Sequence, residues 1–87
     1  MTLLPSAQDR ETKLARLEAC KQMGEKAYDA MYEASSFSAA TGYYSEAKES
    51  FYEAIKLARE LELESEVVAL EQRLAHIQAV FRSQFVQ

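Results

Sequence analysis

Six residues set the frame for this chain: Tyr44, Ala47, Phe51, Ala54, Ala58 and Leu61 recur at steps of three, four, three, four and three. That rhythm places all six on one face of an α-helix. The face is small–large–small about Phe51, so a neighbouring helix can come close while one aromatic ring fills the gap. A second seam follows at Val67, Leu70, Leu74, Ile77 and Phe81, again at steps of three and four. No Gly or Pro separates the two, yet they are not one helix. Continuing the first seam past Leu61 would make Ser65, Val68, Gln72, Ala75, Ala79 and Arg82 the core, whereas the bulky residues lie elsewhere. A turn near Glu62–Ser65, with Ser65 as the next N-cap, restores the register.

The N-terminal half holds a third seam in Leu17, Cys20, Gly24, Ala27, Met31, Ala34 and Ser38. Its phase survives Gly24, although glycine inside a helix costs about 1 kcal/mol relative to Ala. Two arrangements satisfy this pattern. Either one long helix spans about residues 7–40, or two helices meet near Met23–Glu25, and the unbroken phase favours the first. Ser6-Ala-Gln-Asp9 after Pro5 reads as a capped helix start. Thr41-Gly42 reads as the break before the middle helix, and Ser45 as its N-cap with Glu46 and Glu49 in the first turn. The expected fold is all-α, an antiparallel bundle of three helices (four if Gly24 divides the first) over residues 7–40, 45–61 and 65–84. A single domain then covers residues 1–87.

Composition agrees. Two glycines and one proline in 87 residues leave little for hairpins or sheets, and such a length supports one small core. The lone Cys20 makes no internal disulfide, and Met1-Thr-Leu-Leu-Pro5 has neither the basic start nor the apolar run of a secretion signal. No apolar stretch reaches the ~20 residues that cross a bilayer. A cytoplasmic protein, not membrane-bound, is expected. Residues 46–71 carry eight acids against Lys48, Lys56 and Arg59, for −5 within a net charge of −4. Nucleic acid and anionic lipid would be repelled by that centre.

No chemistry stands out. His76 is the only histidine and lies off the Leu70–Leu74–Ile77–Phe81 seam; Glu46, Glu49 and Glu53 share one helix face, but no Glu-x-x-His accompanies them. There is no glycine-rich phosphate loop and no zinc spacing. An enzyme is therefore not expected, and neither cofactor nor metal is. The aromatics offer more. Tyr28, Tyr32 and Tyr52, with Lys48 and Lys56 among them, would give a groove between the first and second helices both contact area and polar guides.

Gly42, Tyr44, Ala47, Phe51 and Ala54 together resemble the second half of a tetratricopeptide repeat. Met31, Ala34, Ser35 and Ser38 stand where that family has Trp, Leu, Gly and Tyr, and Arg59 where it often has Pro. The likeness covers about residues 28–61, with the last helix in the place of the next repeat's first. The Tyr44-Ser45-Glu46-Ala47 entry is also similar to that of microtubule-interacting-and-transport domains, three-helix bundles of comparable length. Both resemblances imply a protein–protein interaction module: an adaptor, a chaperone-like subunit or a regulator that holds a peptide or helix in an inter-helix groove. The alternative is a structural homodimer burying Leu14, Leu17 and Phe85.

Overall fold

The computed structural model describes residues 7–86 and consists there of three helices: α1 (Ala7–Tyr32), α2 (Phe37–Glu60) and α3 (Glu64–Phe85). The fold is an all-α three-helix bundle. Gly24 lies inside an unbroken α1, so no fourth helix arises there. The N-terminal capping serine, Ser6, and the Met1–Pro5 segment lie outside the described residues.

The contacts fix the direction of each helix. Lys13 meets Glu60, Arg16 meets Glu53 and Gly24 meets Phe51, so α2 runs back along α1. Arg59 meets Glu71 while Tyr44 stacks on Phe81, so α3 reverses again. Helix α2 is thus the central element. Helices α1 and α3 lie parallel to each other on its flanks.

The turn between α1 and α2 differs from the expected one. It lies at residues 33–36 and not at Thr41-Gly42. Ser36 is the cap: its backbone is extended and its Oγ accepts the Ala39 N–H at 3.1 Å. Gly42 has no positive φ and sits within α2, facing open space, and Ser45 is likewise an exposed helical residue. The long first helix is corrected accordingly. At 26, 24 and 22 residues the three helices are nearly matched, and α1 does not outreach the others.

The second turn falls where the phase argument puts it, with a different device. The Glu62 N–H donates to the Arg59 carbonyl at 3.0 Å and the Leu63 N–H to the Ala58 carbonyl at 2.9 Å. These are the two bonds of a Schellman ending, with Leu63 folded onto the core. The residue that turns the chain is Glu62 at φ 59°, a left-handed position that glycine usually fills. Leu63, not Ser65, is the N-cap of α3, and no side chain caps it.

All buried side chains among the described residues are apolar. Small residues (Ala27 on α1; Ala40, Ala47, Ala54 and Ala58 on α2) are buried in the core, and Phe51, 1% exposed, is the most buried aromatic. Its ring lies directly on Gly24, where a Cβ would come within 2.6 Å of Phe51 Cε2. Leu17, expected to lack cover within the chain, is 2% exposed, and Leu14 and Phe85 pack partly on the same core. The apolar residues invoked for a homodimer are thus largely satisfied internally.

Two predictions follow from these backbone sites. The same Gly→Ala change should have opposite signs at the two glycines. Gly24→Ala forces a methyl into the Phe51 ring and should destabilise by up to about 2 kcal/mol net, the ~1–3 kcal/mol of overpacking being offset in part by ~1 kcal/mol of helix propensity. Gly42→Ala meets nothing and should stabilise by about 0.5–1 kcal/mol. Urea unfolding of both variants checks the pair. Glu62→Gly relieves the left-handed strain and removes an acid from the negative end of α2. It should raise the melting temperature, by an amount corresponding to at most about 1 kcal/mol.

Candidate binding surface

Because α1 and α3 flank α2 without packing closely on each other, a groove remains between them. Its floor is the exposed Ala69 of α3 over the buried Phe51 of α2 and Leu70 of α3, and its volume is about 550 Å³. The rim is charged on both sides, with Glu18, Lys21, Glu25 and Lys26 on α1 facing Glu66 and Arg73 on α3. The seams explain this placement. Phe51 faces inward onto Gly24 and lies buried beneath the groove, so the side chains that border the opening are those of α1 and α3.

Two ion pairs cross the groove. Arg73 grips Glu25 with both branches, Nε to Oε2 and Nη2 to Oε1, each at 2.7 Å. Paired parallel bonds of this kind are the strong form of Arg–carboxylate contact. Lys21 Nζ reaches Glu66 across the groove and Glu18 on its own helix at 3.3 Å. The hydrogen bond to Glu66 raises the Lys21 pKa, against a smaller opposing effect of burial. The Arg73 pKa is raised in the same way by the Glu25 hydrogen bond.

Arg73 also joins the groove to an aromatic shelf. Its guanidinium lies 5.0 Å from the centre of the Tyr28 ring. Tyr28 meets Tyr32 edge-on at 6.3 Å and His76 at 6.2 Å. Tyr28 is half-buried, whereas Tyr32 is 57% exposed. His76 is an exposed residue, and its ring neighbour is a tyrosine rather than a carboxylate.

The five residues expected to form one binding groove do not share one. Tyr28 and Tyr32 belong to the α1–α3 side. Tyr52 is exposed in a separate furrow between α2 and α3, beside Ile55, Arg59 and Leu74. Lys48 lies 4.7 Å above the Tyr44 ring, which stacks on Phe81 at 4.0 Å near the C-terminal end of α3. Lys56 is exposed on α2. The groove-lining residues Lys21, Glu25, Ala69 and Arg73 carry no sequence signal as a group. Their partners are 45 and 48 positions apart, and only the lateral placement of α3 brings them together.

Burial raises the Cys20 thiol pKa, and the nearby Glu53 carboxylate adds to the shift, so the thiolate is disfavoured. Among the described residues no group of three or more His, Cys, Asp or Glu converges as metal donors, and no helix is long and apolar enough to cross a membrane. No protein-family model, curated protein or solved structure matches the chain.

The ion pairs predict an alkaline limit. A lysine whose pKa is raised by folding contributes its full stabilisation below the unfolded value of ~10.4 and loses it as pH rises through the folded value. The stability difference between wild type and Lys21→Met should therefore be constant from about pH 7 to 9. It should shrink as the pH passes ~10.4, measured by urea unfolding at each pH.

Proposed function

We propose that this chain is a small protein-interaction module, a binding protein rather than an enzyme, whose binding face is the α1–α3 side. The observation that carries the reading is the groove of about 550 Å³ at the exposed Ala69, over the buried Phe51 and Leu70, continued by the Tyr28–Tyr32 shelf and bordered by both signs of charge. Apolar contact area at the centre with charge at the rim is the usual anatomy of a protein-binding surface. A peptide or short helix laid along this face would bury apolar atoms on the floor. Tyr32 would supply further area with few rotors to immobilise.

The two family resemblances lend less support than the groove does. Both place the entry to the middle helix near residues 44–45, and α2 begins two turns earlier at Phe37. The parallel placement of α1 and α3 does agree with a helix hairpin followed by the first helix of a next unit. Roles as an adaptor, a chaperone-like subunit or a regulator remain compatible with such a face.

Self-association is the second reading, and Phe37 favours it. This residue is 58% exposed at the start of α2, 6.2 Å from Phe81, with the exposed Val86 at the end of α3. A 9.9 kDa particle at high micromolar concentration would exclude that homodimer.

Partner capture from the native source, followed by photo-crosslinking, tests the first reading. Ala69→Arg fills the groove from an exposed helical position, and Tyr32→Ala strips the shelf. Each should reduce capture at least about tenfold, on the order of 1.4 kcal/mol, with helicity unchanged. Tyr52→Ala and Lys56→Ala, away from this face, should capture as wild type does. Equal capture by all four variants would remove the α1–α3 face from consideration.

A further inference from the structure

The three helix–helix contacts of this bundle differ in kind. Helix α2 meets α1 through buried alanines and the Phe51–Gly24 contact, and it meets α3 through Leu70, Leu74, Ile77 and Phe81. Helix α1 meets α3 chiefly through long polar side chains. The joins are Arg73 to Glu25, Lys21 to Glu66, and the Tyr28 ring against Arg73 and His76.

We propose that the Glu25–Arg73 and Lys21–Glu66 pairs form a clasp that sets the spacing of α1 and α3 and thereby the access to the apolar floor beneath. The inference concerns the groove itself and holds whether or not a partner binds there. Both pairs span the two helices above Phe51, Ala69 and Leu70, so anything entering must pass beside or between them. Their side chains are 30–43% exposed, within reach of mobile ions. Salt therefore weakens this contact, because the screening length falls to ~3 Å at 1 M. The same salt leaves the apolar seams intact or strengthens them. Release of the clasp consequently leaves α3 attached to α2 along its buried seam, free to tilt away from α1. The raised pKa values of Lys21 and Arg73 agree with cations held by their carboxylate partners.

The test is a pair of distance measurements by spin labelling in a Cys20→Ser background. Labels at Ala19→Cys and Gln72→Cys, both exposed, report the α1–α3 spacing. Labels at Ala19→Cys and Lys56→Cys report α1–α2. Moving from low salt to 1 M NaCl should shift the α1–α3 mean outward and broaden it, with the α1–α2 distance unchanged. Glu25→Gln with Glu66→Gln should give the same shift at low salt. The charge exchange Glu25→Arg with Arg73→Glu should restore the narrow distribution. An α1–α3 distance indifferent to salt and to neutralisation overturns the clasp, as does a parallel change in the α1–α2 distance, which would mean general loosening. Because the salt arm retains every clasp residue, it decides the question even if the neutralised variant folds poorly.

Discussion

The contact of the Phe51 ring with the Gly24 backbone is the constraint on which the rest of this structure depends. It sets how near α1 can come to α2, and the alanines on either side hold that short separation along the length of the pair. Any larger residue at position 24 would meet the Phe51 ring and push the two helices apart. The same ring lies under the groove: Phe51 and Leu70 are both buried there, and Ala69 is the exposed apolar residue above them. Core and candidate site therefore share a residue. Substitutions at Phe51 cannot separate stability from binding, and the informative position is Ala69, which lines the groove while lying outside the buried core.

Much of the fold was legible because apolar phase is a direct consequence of helix geometry. The seams from Leu17 to Met31, Tyr44 to Leu61 and Leu70 to Phe81 all face the core. The break before α3 followed from a mismatch of phase between two seams, and it stands. The break before α2 lies ahead of Phe37 and not at Gly42, because glycine ends a helix no more at 42 than it does at 24. Extending the α2 seam backwards from Tyr44 gives Ala40 and Phe37 at steps of four and three, straight across Gly42. Ala40 is fully buried, as that phase requires. The true stop lies in the serine pair at 35–36, where a side chain replaces the missing backbone acceptor for Ala39. Cap chemistry outweighed glycine content.

The candidate site was far less legible, for a different reason. Tyr28 and Tyr32 are four apart and share a face in any helix, so their pairing could be read locally. Tyr52 is next to Phe51 and so turned about 100° away from it, which carries it out of the α1 contact and into the α2–α3 furrow. The ionic partners were beyond local reasoning altogether. Whether Lys21 faces Glu66 depends on which flank of α2 receives α3, and the seam of α3 alone fits either. Glu62 was hidden in another sense: an ordinary acid in an acidic run gives no sign that its backbone will be left-handed.

These differences in kind among the helix contacts have a consequence for dynamics. Helices α1 and α3 each have one apolar contact with α2 and share the ionic one, but the α1–α2 contact is much the more extensive. Detaching α3 should then cost less than separating α1 from α2, and local opening should begin at α3. The Schellman ending at Leu61–Leu63 is the natural pivot, because it is the covalent link between α2 and α3. A surface assembled from two helices that both lean on a third can adjust its width by small rotations about that pivot, without exposing Ala47, Ala54 or Ala58 to water. That combination, a rigid α1–α2 pair and a more weakly tethered α3, lets a chain of this size keep a fixed core while offering an adaptable face.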